Sequence, residues 1–500
     1  MKSFAVAAAA ATFAGIVSAK QCQNITVPVT ISARNGLFDE SALTPVTNID
    51  VTNFILNLVQ QGTNYTANVL QGYQTVSGTY DLATTYCAPD SGAPNVVQLL
   101  THGIGFDRSY WDLPFNNYNY SYVNEAVDEY GFSTFSWDRL GIGMSEHGEP
   151  VNEIQAWLEV AALKALTDKL RDGSISGVPQ FSKVVHVGHS FGSEHTYAMT
   201  AMYPGSSDGI ALTGFSQNVT FIPYFGLGGN FIQANKVASL SSYVNGYLAA
   251  GDPSAVQTNF FAPGSFDPAI LTVATQTGQP VTIGELLTIA GETLTPNNFA
   301  GPVLIITGNR DLPYCGGNCA AAPTGYANIP STSKNYFVNA SVFDVVIVPG
   351  AGHGLNLEYS HPFTYGTINN FFVQQGNGPA GATTQSVTPI PSATSAAGAS
   401  QASSAANGTS SSAAAGVSSA AGGASSAAAG VSSAAGGASS AAGGASSAAG
   451  GAPSSAAAGA PTSGAAGSAK PSAPAYPSKG QGQGHGWGNG WPHTAAHGGW

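Results

Sequence analysis

Between residues 95 and 348 the chain alternates short apolar runs, each stopping at a polar or glycine-rich turn, with longer stretches whose apolar residues fall at helical spacing. Asn95–Leu100, Phe132–Trp137, Lys183–Val187, Ile210–Phe215, Val303–Thr307 and Val342–Val348 read as strands; Trp157–Leu170 and Ser193–Met202 read as helices. Buried strands separated by helices specify an α/β fold, a mainly parallel sheet with helices on its faces. From Gln217 to about Asn298 the pattern loosens into apolar and aromatic pieces, and an insertion there, about 217–298, would lie over the carboxyl ends of the strands as a cap. From Gly376 onward Ala, Ser and Gly dominate and no Asp or Glu occurs, so residues 376–500 form a low-complexity tail that cannot build a core and is expected to be disordered. The globular part is therefore about 20–375.

One strand end organises the rest. The run Lys183–Val187 enters Gly188-His189-Ser190-Phe191-Gly192, and the stretch after it is free of Gly and Pro. A sharp strand-to-helix turn needs small residues on both sides of its apex, which leaves the Ser190 side chain clear of the backbone. A serine hydroxyl is a poor nucleophile at neutral pH, so this reading demands a base, a carboxylate to orient it and donors for an oxyanion.

The carboxylate has its candidate in Asp311, just past Val303–Thr307 in Gly308-Asn309-Arg310-Asp311. Ile210–Phe215 ends in Ser216 and Gln217 and offers no acid; Asp267 falls in the insertion and Asp344 inside a strand. The base has its candidate in His353, between glycines after the last strand, in a loop from which an imidazole can reach both serine and carboxylate. Among the rivals, His189 flanks the serine, His195 lies a turn into the helix, and His361 precedes a proline and reads as a surface residue. The first strand is followed by Thr101-His102-Gly103-Ile104-Gly105 and an aromatic-rich loop with Phe106, Tyr110 and Trp111. Phe106, Trp111 and the aromatics near Phe221–Phe225 either line an apolar pocket for an acyl or aryl group or pack the cap on the core.

Taken together, His102-Gly103, Asp138-Arg139-x-Gly141-x-Gly143-x-Ser145, Gly188-x-Ser190-x-Gly192, Gly308-x-x-Asp311 and Gly352-His353 make residues 95–373 resemble an α/β-hydrolase, of the secreted esterase or lipase kind made by filamentous fungi. The resemblance implies Ser190 as nucleophile, His353 as general base and then acid, Asp311 as its orienting carboxylate, and oxyanion donors from the backbone N–H of Ile104 and Phe191. Many relatives carry a second glycine after the elbow where this chain has Ser193, small enough to keep the packing. A serine nucleophile argues against epoxide or haloalkane hydrolysis, which in this superfamily use aspartate.

Composition narrows the partners. Net charge is −12 with only 14 Lys and Arg, which excludes a nucleic-acid or anionic-membrane footprint. No cluster has metal-ligand spacing and no phosphate loop accompanies a lysine, so no metal or cofactor is expected. Residues 1–19, one positive charge and then an alanine-rich apolar run ending Val17-Ser18-Ala19, have the parts of a secretory signal peptide. No other stretch approaches the roughly 18 apolar residues of a membrane span, and a secreted, extracellular enzyme without stable membrane insertion is expected. Four cysteines in such a chain suggest two disulfides, of which Cys22–Cys87 and Cys315–Cys319 are the favoured pairing. Sequons stand at Asn24, Asn64, Asn119, Asn218, Asn339 and Asn407, and the tail ends in a His/Gly/Trp stretch with Trp487, Trp491 and Trp500, which offers a contact with metal or cell-wall polysaccharide.

The expected activity is hydrolysis of carboxylic esters, with a small-molecule or lipid-like substrate. A lactonase would share the triad. An aminopeptidase would need cap carboxylates for the substrate ammonium, with Glu285 and Glu292 available. A catalytically silent cell-wall binding protein would be expected to have lost a triad member.

Overall fold

A computed structural model describes residues 20–387, 389 and 390; the leader, Asn407 and the His/Gly/Trp tail lie outside the described residues. Eleven strands are numbered in chain order. β1 (Lys20–Phe38), β2 (Leu70–Pro89), β3 (Val96–Thr101), β4 (Ser133–Trp137), β5 (Lys183–His189), β6 (Ile210–Thr213), β10 (Pro302–Gly308) and β11 (Val342–Val348) form one sheet in the order β1-β2-β4-β3-β5-β6-β10-β11. β7 (Phe231–Gln233), β8 (Tyr247–Ala250) and β9 (Val281–Thr282) form a small antiparallel sheet within the segment between β6 and β10. From β4 to β11 every neighbouring pair in the large sheet is parallel.

The parallel strands are apolar on both faces because helices cover both. Val96 and Leu100 of β3 face the layer holding Tyr365, Ile368 and Phe372 of the helix His361–Gln374. Val97 and Leu99 face the layer holding Leu158, Leu163, Leu166 and Leu170 of the helix Ala156–Asp172. This two-sided burial explains the near-continuous apolar reading of these strands. The chain runs from β3 outward to β4, then returns past β3 to β5, so the winding reverses beside β3, the position at whose carboxyl ends open α/β sheets take their ligands.

Differences from the expectation lie mostly outside the parallel core. β1 and β2 make a long antiparallel pair, joined across Cys22 and Cys87, that extends the sheet. The helix after the serine starts at Phe191, two residues earlier than the apolar pattern suggests. Beyond residue 375 the chain stays attached: Asn377 donates to the Asp208 carbonyl at 2.7 Å, and the Gln385 amide N–H donates to Asn370 at 2.8 Å. Cys315–Cys319 is the second disulfide, so both favoured pairings are present. Among the described residues no helix is long and apolar enough to cross a membrane.

Candidate active site

The turn at Ser190 is held by close backbone contact. A Cβ on Gly188 would lie 2.4 Å from the Gly192 carbonyl oxygen, and one on Gly192 would lie 2.3 Å from that of Thr101, so neither position admits a side chain. Ser190 itself takes φ 54° and ψ −120°, a conformation that non-glycine residues rarely adopt and that persists only where surroundings impose it. Its amide donates to the Thr213 carbonyl at 2.9 Å, tying the apex to β6. Phe191 is the first residue of the helix Phe191–Met202, where amides have no intrahelical acceptor and are free for an anion.

The loop after β3 presses against this apex. A Cβ on Gly103 would meet the Ser190 Cβ at 2.8 Å, which brings Ile104 beside the elbow. His102 Nε2 accepts from the Arg139 amide at 3.0 Å and fastens this loop to the one after β4. In that second loop Asp138 accepts from the amides of Arg108 and Met144, both at 2.9 Å, and Ser145 Oγ donates to the Asp138 carbonyl at 2.6 Å. The Asp-Arg-x-Gly-x-Gly-x-Ser signature thus builds a brace for the site.

Asp311 and His353 meet across β10 and β11. His353 Nδ1 lies 2.9 Å from Asp311 Oδ2, and both side chains are buried. The same carboxylate oxygen accepts from Thr307 Oγ1 at 2.6 Å, and Oδ1 accepts from the Tyr314 amide at 3.0 Å, so Asp311 is fixed before it orients the imidazole. His353 Nε2 is buried without a hydrogen-bond partner. The ring sits 4.9 Å from His189, 5.7 Å from Tyr314 and 5.9 Å from Phe260, the last nearly parallel. His189 is buried and stacked on Tyr110 at 4.4 Å, and burial holds it well below the usual histidine range, as a neutral ring.

Two fixtures were not foreseen from the sequence. Glu358 accepts from the amides of Gly352 and Ala262, each at 2.6 Å, and so bolts the His353 loop to the segment between β6 and β10; burial pushes its carboxyl up to about 8. Gly354 N–H donates to the Phe260 carbonyl at 2.7 Å in the same seam. Phe106 packs on Phe260 at 4.8 Å, and both line an apolar cavity of about 30 Å³ with Gly105, Leu240, Val256 and Ala274. That is close to the share of one water molecule.

The family model for the alpha/beta hydrolase family matches residues 98–364, a little over half of the chain. The chain belongs to the α/β-hydrolase family. No curated protein matches it. Solved structures similar to this α/β-hydrolase include a thermophilic esterase from Thermogutta terrifontis, 16% identical with a TM-score of 0.41 over 59% of this chain and 94% of that one. Others are the enol-lactonase from Burkholderia xenovorans LB400, 17% identical with a TM-score of 0.39 over 59% and 97%, and the Paleococcus ferrophilus monoacylglycerol lipase, 15% identical with a TM-score of 0.39 over 57% and 96%.

Several candidate residues of this hydrolase stand elsewhere than expected. Trp111 is fully buried, packed edge-on against Tyr110 and Tyr122, and belongs to the core; only Phe106 of the two aromatics reaches the small cavity. His361 is buried as the first residue of its helix, with Nδ1 2.8 Å from the Glu358 carbonyl oxygen, and is not a surface residue. Glu285 and Glu292 are fully buried in a charged network behind Phe191: Arg139 pairs with Glu159 at 2.7 Å and Glu285 at 2.5 Å, and His195 pairs with Glu292 at 2.7 Å. The Arg139 guanidinium also lies over the Phe191 ring, 4.7 Å from its centroid. Neither glutamate is available to hold a substrate ammonium, which removes the ground for an aminopeptidase.

Proposed function

We propose that this α/β-hydrolase cleaves carboxylic esters through Ser190, His353 and Asp311. The observation that carries the reading is the Asp311–His353 pair, buried and pre-oriented, with an unpartnered Nε2 and a ring that lies against Gly214, next to the Thr213 carbonyl that holds the Ser190 amide. In this reading His353 Nε2 takes the Ser190 proton as Oγ attacks the ester carbonyl. The oxyanion that forms is received by the amides of Ile104 and Phe191, at roughly 3 kcal/mol per donor. His353 then returns the proton to the leaving alcohol, and a water activated by the same ring releases the acid from the acyl-enzyme.

The substrate follows from the walls. Phe106 and Phe260 pack together beside the His353 ring, and the cavity they line is small, which favours short acyl chains. Both disulfides are compatible with an oxidising, extracellular setting, in line with residues 1–19 as a removed leader. The exposed sequons Asn24, Asn64, Asn119 and Asn339 are then open to glycosylation.

Hydrolysis of p-nitrophenyl esters from acetate to palmitate by the full chain, beside Ser190→Ala, tests the reading. The expected result is highest kcat/KM at acetate to butyrate and a loss of roughly 10⁴-fold or more in Ser190→Ala. Equal activity in both proteins would refute the nucleophile, and inactivity on esters with turnover of lactones would move the reading to a lactonase.

A further inference from the structure

The two disulfides close loops of very different size. Cys22 and Cys87 stand 65 residues apart in the chain, Cys315 and Cys319 only 4. A crosslink restrains the unfolded chain less as the loop it closes shortens, so the second bridge adds little to global stability by that route and acts on local geometry instead. What it acts on is the turn that carries the orienting carboxylate. Asp311 caps the helix Leu312–Cys315, a single turn of four residues, which is too short to hold itself. Asp311 Oδ1 accepts from the amide of Tyr314, the residue directly before the bridged Cys315, at 3.0 Å.

Beyond that turn the chain doubles back. Gly316 and Gly317 take φ 62° and 83°, the Gly317 amide donates to the Asp311 carbonyl at 2.8 Å, and the Cys319 amide donates to the Asn309 carbonyl at 2.9 Å. Residues 309–319 therefore close on themselves on both sides of Asp311. At the start of this loop the Arg310 amide donates to the carbonyl of Ala351, two residues before His353, at 2.7 Å. One end of the loop is thus registered against the His353 loop, and the disulfide fixes the other, buried in the apolar cluster that holds Phe215, Ile329 and Phe337.

We propose that Cys315 and Cys319 are positioning residues for the reaction, whose bond keeps the Asp311 turn closed and so holds Oδ2 in register with His353 Nδ1, 2.9 Å away. The inference rests on Asp311 being the carboxylate that orients His353. Without the bond, the Tyr314 amide is free to leave Oδ1, and of the two side-chain restraints on the carboxylate only the Thr307 hydroxyl remains. The imidazole is then aligned for proton transfer a smaller part of the time. That loss falls on the transition state and leaves substrate binding alone, so it lowers kcat and spares KM.

The test compares Cys315→Ser/Cys319→Ser with Cys22→Ser/Cys87→Ser in the full chain, by kinetics on p-nitrophenyl butyrate beside melting temperature. The first variant is expected to lose about 10- to 100-fold in kcat with KM within about twofold of wild type, and the second to melt lower than the first while keeping kcat within about twofold. A double-mutant cycle separates positioning from general loosening: in Asp311→Asn, which has no carboxylate to orient, removing the Cys315–Cys319 bond should cost less than about twofold more. Should Cys315→Ser/Cys319→Ser not fold, Gly317→Ala reads the same loop with the disulfide intact, because its added Cβ meets nothing within 4 Å and strains only the left-handed backbone. It is expected to lower kcat about two- to fivefold in wild type and to leave Asp311→Asn unchanged. An unchanged kcat in the variant read, an equal fold-loss in both Asp311 backgrounds, or the same kcat loss in Cys22→Ser/Cys87→Ser overturns the inference. Wild-type activity in Asp311→Asn would instead overturn the orienting role of Asp311, and this inference with it.

Discussion

Two buried histidine–carboxylate pairs flank the Ser190 turn, and they differ in what faces the far nitrogen of the imidazole. His353 is 2.9 Å from Asp311 and His195 is 2.7 Å from Glu292, and in both rings Nε2 lacks a hydrogen bond. His353 stands on a glycine-flanked loop among the neutral rings of His189, Tyr314 and Phe260. His195 is fixed inside the elbow helix, 4.1 Å from Phe191, with Nε2 3.4 Å from a Glu159 oxygen that Arg139 already holds. A histidine–carboxylate pair is therefore not itself an active site. His353 Nε2 is left open on its glycine-flanked loop, while His195 Nε2 ends on a second carboxylate inside an ion network, where it has no hydroxyl to deprotonate.

The comparison predicts opposite failures, the largest at His353. His353→Ala should cost about 10⁶ in kcat on a short p-nitrophenyl ester, with far-UV circular dichroism and melting temperature close to wild type. Retention of a tenth of the activity would break the distinction. On the other side, Arg139→Met leaves Glu159 and Glu285 buried without their cation, and should cost about 3–5 kcal/mol of stability in denaturant unfolding, because both carboxylates are fully buried. A loss under 1 kcal/mol would mean that the network has another way to settle its charge.

The sequence carried the first pair and not the second. Ser190, Asp311 and His353 each follow a buried, β-branched run cut off by glycine, so a local signal marks the end of each strand, and serine, acid and histidine come in the order such sites use. The partners of Arg139 lie in a distant helix and in the segment between β6 and β10, and nothing near Glu285 or Glu292 marks them as already paired. Phe106 and Trp111 show the same limit within one loop, since spacing does not say which ring turns toward the cavity. The β1–β2 pair escaped notice because it lies before the first buried run of the parallel core, its apolar residues alternate with exposed Thr, Ser and Gln, and its two strands find each other across some thirty intervening residues. Glu358 and Thr307 carry no motif at all; only the closed geometry of the His353 loop and Asp311 reveals their use.

A smaller effect separates the two pairs by pH. Burial raises Glu292 and Glu159 to about 7 and Glu285 to about 8. A carboxyl that keeps its proton longer in the folded chain contributes stability that is complete below the unfolded value near 4.5 and is lost as pH rises through the folded value. The buried neutral histidines His102, His186 and His189 act in the opposite sense, but only below their unfolded value near 6.5. From pH 6.5 to 8 the glutamates alone remain, so the melting temperature should fall across that window. Glu292→Gln, which cannot ionise, should fall less, and a melting temperature that rises over the window would contradict the assignment of these groups.

The most direct measurement is kcat on p-nitrophenyl butyrate for Asp311→Asn beside Glu292→Gln, both in the full chain, at a pH where both are folded. The two substitutions make the same change, carboxylate to amide, in the two histidine pairs. The account predicts a loss of about 10⁴-fold for Asp311→Asn, whose amide imposes the wrong tautomer on His353, and activity within a few-fold of wild type for Glu292→Gln. Comparable losses in both, or an Asp311→Asn enzyme within tenfold of wild type, would show that the pair on the glycine loop is not the one that does the chemistry.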